Sequence, residues 1–290
     1  MSVCAVILAA GEGTQLRPLT LRKPKSLCPV GNITLLDRSL ARLADYGLRG
    51  PRQIAVNACH LADQVVAAVA GRAYLSVESP PPLGTSGGVA KLRDWIAGRG
   101  VLVCNADGYL ADNASPGNAS VDVCSADLIS GWDGRTVRLL VAPATPDRAG
   151  EFGNPRRWRF AGMSLLPWET VRDLPRTASG LVSTVWRPAE ANGLLELVPY
   201  HGRYIDCGTP ADYLAANLLA AKLAADGDGN LVHPTATVQG RVQRSVVGAS
   251  AIVHGDLTGS VVWSNGYVET GEHLCDAIRA APDVTVRTRD

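Results

Sequence analysis

The stretch ILAAGEGTQLRPLTLRKPKSLCPVG combines the residue types that hold an anion in a loop. It begins apolar and then places Gly11 and Gly13 two positions apart. Basic residues follow among prolines, Arg17, Lys23 and Lys25 among them. Glycines let backbone N–H groups approach a phosphate closely, and the basic residues supply the opposite charge. The stretch therefore predicts a phosphate-binding loop, with a surface turn carrying solvated basic residues as the alternative.

Two well-known glycine-loop patterns do not describe this stretch. Leu16 stands where a dinucleotide fingerprint has its third glycine, and no Gly-Lys-Ser/Thr closes the loop as in a Walker A motif. Arginine outnumbers lysine by 24 to four in the chain, so the two lysines that flank Pro24 are informative. A compact ammonium and a planar guanidinium are not interchangeable at a phosphate. Neutral Gln15 at the centre of the loop is the one unexpected residue.

Two more loops have residues suited to a polar ligand. Glu78–Gly88 reads ESPPPLGTSGG and supplies amides and hydroxyls where a helix begins, with simple capping by Ser86 as the alternative. Asp107 follows the apolar run VLVC, and Asp206 lies in the similar setting YIDCGT. Two carboxylates near a phosphate predict a Mg²⁺ site, although each alone is more often a cap or turn residue.

The elements around these loops alternate between strands and helices. The predicted strands are Val3–Ala9, Gln53–Asn57, Leu75–Val77, Val101–Cys104 and Arg138–Ala142. The predicted helices are Leu35–Tyr46, Leu61–Ala70, Ser86–Ile96 and Pro210–Ala224. This alternation predicts an α/β fold with a doubly wound, mostly parallel sheet, in which ligands bind at the carboxyl ends of the strands. Residues 143–166 are predicted to be less regular.

A second pattern begins after DGDGN at 226–230, the best linker in the chain. Valines recur there in pairs six residues apart, and the pairs start fifteen residues apart: Val232/Val238, Val247/Val253 and Val262/Val268. This period predicts a short hexapeptide β-helix, with a run of short antiparallel strands as the alternative. The predicted domains are therefore 1–225 and 231–290. So short a coil has to pack on the first domain or on a second subunit.

Composition narrows the class of protein. The chain has 290 residues, 46% of them hydrophobic and 19% charged, with a net charge of +1. It can bury a large core, and its charge argues against a nucleic-acid partner. The seven cysteines are scattered and are expected to be small buried hydrophobes in a reducing cytoplasm. With no signal-like N-terminal segment and no long apolar run, we expect a cytoplasmic protein without a membrane partner.

Taken together, the loops resemble the sugar-1-phosphate nucleotidyltransferases, the pyrophosphorylases that make nucleotide sugars. The matching pieces are LAAGEGTQLRPLT with KPKSLCPVG, then PLGTSGGV, CNAD, FAG and IDCGTPADYLAAN. The tail resembles the short, left-handed β-helix-like tail of bacterial guanylyltransferase-type members. The resemblance implies a Rossmann-like nucleotidyltransferase fold, and a reaction of NTP with sugar 1-phosphate that gives NDP-sugar and pyrophosphate.

The resemblance also implies roles for individual residues. Lys25, Gln15, Arg17 and Asp107 take the catalytic positions, and Asp107 and Asp206 hold Mg²⁺. The implied nucleotide-binding residues are Leu8, Ala10, Gly11, Gly13, Thr14, Leu83, Gly84, Thr85 and Gly88. The implied sugar-phosphate side consists of Asn105, Glu151, Arg159 and Gly162. NTP and sugar 1-phosphate are the expected partners, together with a second copy of the chain through the tail.

The chain departs from the family pattern in three places. Gln15 replaces an arginine that binds the triphosphate, which leaves either an active enzyme or a weakly active nucleotide-sugar-binding relative. EFGNPRRWRFAG replaces a segment whose lysine binds the sugar phosphate, so Arg156, Arg157 or Arg159 is expected to take that part. Ala106 replaces a glycine. PLGTSGG and the tail favour GTP with mannose 1-phosphate, whereas the short 143–160 region resembles uridylyltransferases that act on muramic acid 1-phosphate. Other bases and sugars stay open.

Overall fold

The computed structural model describes residues 2–111, 127–224 and 228–288. The strands before residue 224 are β1 (Val3–Leu8), β2 (Pro29–Val30), β3 (Ile33–Thr34), β4 (Ile54–Ala58), β5 (Tyr74–Val77), β6 (Gly100–Asn105), β7 (Gly108–Ala111), β8 (Val137–Pro143), β9 (Trp158–Leu166), β10 (Leu195–Pro199) and β11 (Arg203–Asp206). The helices are α1 (Leu35–Asp45), α2 (Ala62–Val69), α3 (Gly84–Lys91), α4 (Arg93–Ile96), α5 (Trp168–Arg172), α6 (Arg187–Ala191) and α7 (Pro210–Ala224). A π-helical turn covers Val182–Trp186.

Seven strands form the central sheet in the order β10-β8-β9-β6-β1-β4-β5. The neighbours from β6 to β5 pair in parallel, and β9 runs antiparallel to β6 and β8. β1 reads VCAVIL and lies at the centre of the sheet, where apolar side chains are buried on both faces. The predicted doubly wound, mostly parallel α/β fold is thus confirmed.

Two predictions about single elements are wrong. Residues 143–166 are not irregular throughout, since they contain β9, the longest strand of the sheet, which joins β8 to β6. The predicted helix Ser86–Ile96 is two helices, α3 and α4, which meet at Leu92. α3 begins at Gly84 with no side-chain cap, so Ser86 is not a capping residue. Its hydroxyl instead accepts a hydrogen bond from Thr184 Oγ1 at 2.9 Å.

The residues after 228 form three short parallel sheets. Their strands are β12 (Leu231–Val232), β13 (Thr237–Val238), β14 (Val242–Gln243), β15 (Val246–Val247), β16 (Ile252–Val253), β17 (Asp256–Thr258), β18 (Val261–Val262), β19 (Tyr267–Val268), β20 (His273–Cys275), β21 (Ala277–Ala281) and β22 (Val284–Arg287). Each coil adds one strand to each sheet, and Leu231, Val246 and Val261 are successive register partners. The β-helix-like tail is confirmed, and the alternative of antiparallel strands is wrong except for the terminal pair β21–β22. Left-handedness stays a prediction.

The tail packs on α7 through one face of its first sheet. Val246, Val261 and Trp263 share a buried cluster with Tyr213 and with other apolar residues of α7. The opposite side chains of the same strands, Val247 and Val262 among them, fill the inside of the coil. The short coil therefore packs on the preceding residues, the first of the two arrangements that the sequence left open. The division into domains at 225 and 231 stays a proposal.

The cysteines follow the sequence prediction with one exception. Those described as buried are Cys4, Cys28, Cys59, Cys104 and Cys207. Cys275 is exposed on β20, so the expectation of a buried residue is wrong there, and Cys124 lies outside the described residues. Among the described residues, no helix is long and apolar enough to cross a membrane.

Candidate active site

Three charged residues from distant parts of the chain meet beside the antiparallel pair of β7 and β11. Asp206 pairs with Gly108 across this two-stranded sheet, and Cys207 N donates to Asp107 O at 3.0 Å, which places the two acids side by side. Lys25 Nζ donates to Asp107 Oδ2 at 3.2 Å and lies 3.6 Å from Asp206 Oδ1. The Lys25 side chain is largely buried, whereas each carboxylate is partly open to solvent. The structure thus brings together three of the residues that the sequence singled out for the reaction centre.

The charged groups of this cluster shift one another's pKa values. Burial acts to lower the pKa of Lys25, but the carboxylates of Asp107 and Asp206 outweigh burial and raise that pKa above its ordinary value. Burial, followed by the Asp107 charge, raises the pKa of Asp206 against the opposing effects of Lys25 and Arg148. A carboxylate that is hard to ionise gains most from additional positive charge, so this pair is suited to a cation ligand.

The glycine loop covers the same region with unused donors. Gly13 has φ +61°, and a Cβ there would lie 2.9 Å from Thr20 Cγ2 and 3.2 Å from Lys25 Cβ, so glycine is required. Thr20 Oγ1 donates to Gly13 O at 2.7 Å and closes the turn. Within the described part of the chain, the backbone N–H groups of Gly11, Glu12 and Gly13 have no hydrogen-bond acceptor. Such a row of free amides is suited to phosphate oxygens.

The two polar side chains after this turn lie in different environments. Gln15 Oε1 and Asp206 Oδ1 both lie within 3.5 Å of the position that a Cβ would take at Gly208. The neutral side chain therefore faces the acid pair. Arg17 instead forms an exposed ion pair with Glu12 at 3.3 Å, so the structure does not bring its guanidinium to Lys25 or to the acids.

A buried polar chain connects the glycine loop to the second loop. Asn57 Oδ1 accepts from Ala9 N at 2.7 Å, and Asn57 Nδ2 donates to Glu78 Oε1 at 2.8 Å. Glu78 Oε2 in turn accepts from Leu83 N at 2.8 Å. A Cβ at Gly88 would lie 2.6 Å from Asn57 Nδ2, which explains the glycine. Sequence reasoning missed Asn57 and the role of Glu78; a polar residue inside the apolar strand IAVNA was the available signal.

Part of the loop Glu78–Gly88 forms hydrogen bonds with residues 179–184. Thr85 Oγ1 accepts from Leu181 N at 2.9 Å, and Ser179 N donates to Leu83 O at 3.0 Å. A Cβ at Gly84 would lie 2.5 Å from Ser179 O. Thr85 and Ser86 thus accept hydrogen bonds from residues 181–184, and a contact of this loop with a nucleotide stays a prediction.

On the sugar-phosphate side, the structure separates the candidate arginines. Arg157 lies over the Trp158 ring at 5.5 Å, and Arg156 is exposed. Arg159 lies close enough to Tyr204 to lower that tyrosine's pKa, although burial, Asp107 and Asp206 together raise it well above its ordinary value. The sequence did not single out Arg148, which contacts Asp212 Oδ1 at 2.5 Å and whose charge acts on Asp206.

Of the other residues predicted for this side, Gly162 lies beside Tyr204. Gly162 has φ +82°, and a Cβ there would lie 3.5 Å from Tyr204 Cε2, so the space above Gly162 is bounded by this ring. Asn105 ends β6 and is partly buried, whereas Glu151 is exposed and lies on the loop before β9. A Cβ at Gly108 would lie 2.5 Å from Cε2 of the same ring. Tyr204 is thus a wall of the site that sequence reasoning did not identify.

Comparisons with known proteins agree with this geometry. Residues 5–115 match the family model of the MobA-like NTP transferase domain. The N-acetylmuramate alpha-1-phosphate uridylyltransferase of Caulobacter vibrioides is 27% identical over 245 residues, which cover 75% of this chain and 97% of that protein. The mannose-1-phosphate guanylyltransferase of Mycobacterium tuberculosis is 33% identical over 110 residues, which cover 36% of this chain and 30% of that protein. A putative glucose-1-phosphate thymidylyltransferase from Bacillus anthracis shares the fold, with a TM-score of 0.59 and 17% identity over 78% of this chain and 98% of that one.

The fold and these matches define the class of protein: the chain is an enzyme of the nucleotidyltransferase type. The resemblance to the sugar-1-phosphate nucleotidyltransferases is confirmed, and residues 5–115 are similar to the MobA-like NTP transferase domain.

Proposed function

We propose that the chain transfers a nucleotidyl group from an NTP to a sugar 1-phosphate and releases pyrophosphate. The observation that carries this proposal is the contact of Lys25 with both Asp107 and Asp206 beside a glycine loop with free amides. The unused N–H donors and the buried ammonium can hold phosphate oxygens, and the pair of carboxylates can hold the cation that accompanies a triphosphate.

In this reaction a phosphate oxygen of the sugar 1-phosphate attacks the α-phosphorus of the NTP. The new P–O bond forms as the bond to the β-phosphate breaks, and pyrophosphate leaves with the electron pair. The attacking oxygen is already anionic, so no side chain has to remove a proton. The chain mainly positions two anions and reduces their mutual repulsion, with the Gly11–Gly13 amides and Lys25 on the triphosphate.

The acids fit Mg²⁺ on an observation independent of the resemblance. Asp206 Oδ1 is a buried oxygen that accepts no hydrogen bond from the described residues. Asp107 shares Lys25 with it. Two carboxylates with phosphate oxygens are a usual Mg²⁺ environment, and within the described residues no third acidic, histidine or cysteine ligand completes a protein cage. Bound there, Mg²⁺ would neutralise charge on the α-phosphate and on the leaving pyrophosphate.

For the sugar phosphate we propose Arg148 and Arg159 as the cations, in place of the exposed Arg156 and Arg157. Both act electrostatically on the Asp206–Tyr204 side of the site. Asn105, Glu151 and Gly162 stay proposed sugar contacts. The Arg148 ion pair with Asp212 would then exchange for a contact with the substrate phosphate.

Our preferred substrates are GTP and mannose 1-phosphate. PLGTSGG and the β-helix-like tail support this choice, as does the relation to mannose-1-phosphate guanylyltransferases. The second candidate pair is UTP and N-acetylmuramate 1-phosphate. It is favoured by the uridylyltransferase whose length is matched almost completely. Gln15 supports a third candidate, a weakly active nucleotide-sugar-binding protein.

Two experiments test the proposal in sequence. A thermal-shift screen with Mg²⁺ and each of ATP, GTP, CTP, UTP and dTTP identifies the base, since a ligand of the native state raises its stability by mass action. Pyrophosphate release is then measured with the preferred NTP and a panel of sugar 1-phosphates. Release with one pair supports the transfer reaction. Stabilisation by an NTP without release from any pair supports the weakly active alternative and contradicts the proposed activity.

The tail remains a proposed site of self-association. Comparing the mass in solution of the full chain with that of a chain lacking residues 231–290 tests this point. An unchanged oligomeric state would contradict it, provided that circular dichroism shows the shortened chain to be folded.

A further inference from the structure

The tail contacts the segment that carries the catalytic lysine, here called the lysine segment and defined as residues 22–32. Arg22 donates two hydrogen bonds to the Asp283 carboxylate, at 2.8 and 2.7 Å, from opposite ends of the chain. Asn32 Nδ2 donates to Val247 O at 3.0 Å. Both ends of the lysine segment are therefore bonded to the tail.

Lys23, the first lysine of KPK, faces the tail and not the acid pair. Its ammonium lies 5.8 Å from the centre of the Trp263 ring. Trp263 Nε1 donates to Tyr213 OH at 2.9 Å, and Tyr213 OH donates to Pro29 O within the lysine segment. One buried tryptophan of the tail is thus connected to two points of this segment, directly at Lys23 and through Tyr213 at Pro29.

The turn at Gly31 packs closely against α7 and the first strand of the tail. Gly31 N donates to Asn217 Oδ1 at 3.0 Å, and its φ is +57°. A Cβ at Gly31 would lie 2.8 Å from Ala220 Cβ and 3.4 Å from Leu231 Cδ2. α7 and the first strand of the tail therefore leave no room for this turn to shift towards them.

Lys25 lies in the middle of the segment that is held in this way. One residue, Pro24, separates it from Lys23 and restricts the backbone. Leu27 N donates to Pro24 O at 2.8 Å and Cys28 N to Lys25 O at 3.0 Å, which makes a tight turn directly after the lysine. A displacement of Lys23 or Pro29 is consequently transmitted to the Lys25 ammonium between Asp107 and Asp206.

We propose that the tail is a positioning element of the active site: Trp263 and Asp283 fix the lysine segment so that the Lys25 ammonium stays on the acid pair. This inference rests on the proposed function for its kinetic consequence. It assigns Lys23 to the tail interface and Lys25 to the reaction, and it gives the tail a task that requires no second subunit.

The test uses the full chain with Trp263→Phe, Asp283→Asn and their double variant. Trp263→Phe keeps an aromatic ring over Lys23 but removes the Nε1–H donor, and Asp283→Asn removes the charge opposite Arg22. Asp94→Asn is the matched control, because Asp94 forms an ion pair of similar exposure with Arg176, away from the lysine segment. Asp283→Glu is the conservative variant expected to keep wild-type activity.

We expect kcat for pyrophosphate release to fall about two- to tenfold in Trp263→Phe, the size of one lost hydrogen bond, and further in the double variant. In these two variants, KM for the sugar 1-phosphate should not change. The control Asp94→Asn should keep the wild-type kcat. In a Lys25→Met background the same tail substitutions should have no further effect, because they act through Lys25. A purely structural role would lower kcat equally in both backgrounds and would contradict the proposal.

A second measurement separates this inference from the proposed activity. The dissociation constant for the preferred NTP, obtained from thermal stabilisation, requires no turnover. It should rise in the double variant and stay at the wild-type value in Asp94→Asn, even if no sugar 1-phosphate is a substrate. Unchanged NTP affinity together with unchanged kcat in the double variant would overturn the positioning role, whatever the wild-type activity.

Discussion

Replacing Lys25 tests the proposed reaction centre most directly, and Lys23 offers a control within the same tripeptide. Lys25→Met keeps much of the side-chain volume and removes the charge that lies 3.2 Å from Asp107 and 3.6 Å from Asp206. Lys23→Met removes a charge that lies over the Trp263 ring. Both variants change the same net charge in the same loop, so a difference between them reports on position.

The magnitude for Lys25 follows from Coulomb's law. Two unit charges about 4 Å apart interact by about 4 kcal/mol at an effective dielectric constant near 20. The carboxylates here are partly open to solvent, which weakens such an interaction. We therefore take about 2–4 kcal/mol for the interaction of the ammonium with charge in the transition state, which is the range for the loss of one electrostatic donor. At 1.36 kcal/mol per tenfold, kcat should fall by about 30- to 1,000-fold.

For Lys23 the expected loss is much smaller. An exposed cation–π contact contributes about 0.5–1 kcal/mol, so Lys23→Met should cost about two- to fivefold through the position of its neighbour. Pyrophosphate release at saturating substrates is the assay, and circular dichroism verifies folding. Activity of Lys25→Met within tenfold of wild type, or equal losses in the two variants, would refute the assignment of the two lysines.

Three other predictions concern residues around Lys25. Gln15→Arg should raise kcat tenfold or more in steady-state kinetics, because it places a guanidinium, which can stabilise phosphate charge, where a neutral amide now lies near Asp206. Arg148→Ala should raise KM for the sugar 1-phosphate about tenfold or more while the NTP dissociation constant stays constant, since a charge-assisted hydrogen bond is worth about 1.5–3 kcal/mol. For Asp206, whose pKa is raised, Mg²⁺ activation should weaken as pH falls through a value above an ordinary carboxyl's 3.8, and Asp206→Asn should remove this dependence.

Each of these predictions has its own control. Arg157→Ala is matched to Arg148→Ala, since Arg157 lies over Trp158, and equal effects of the two would contradict the choice of Arg148. An unchanged or lower kcat in Gln15→Arg would mean that the glutamine does not limit the rate of the wild-type protein. A Mg²⁺ dependence in the wild type that stays constant from neutral pH down to an ordinary carboxyl's 3.8 would argue against Asp206 as a metal ligand with a raised pKa.

The strands and helices around the site were largely predictable because their patterns are local. VCAVIL is apolar at every position, which indicates a strand buried on both faces, and the six-residue spacing of valines indicates a three-sided coil. β9 escaped prediction, because WRFAGMSLL begins with polar and aromatic residues at the edge of an arginine-rich stretch. Its antiparallel pairing with β6 and β8 depends on partners distant in sequence.

The sequence by itself determined the class of reaction and the residue types that serve it. A glycine loop, KPK and two acids after strands indicate phosphate chemistry and a metal site when they are taken together, because charge and backbone freedom are local properties. Tertiary structure alone decided which of two similar residues serves the site. Lys25 contacts the acids and Lys23 lies over Trp263 of the tail, while Arg148 pairs with Asp212 and acts by its charge on Asp206, and Arg157 lies over Trp158. The physical reason is that hydrogen bonds and ion pairs are made across hundreds of residues, so the position of a charge depends on the packing of segments that the local pattern does not specify.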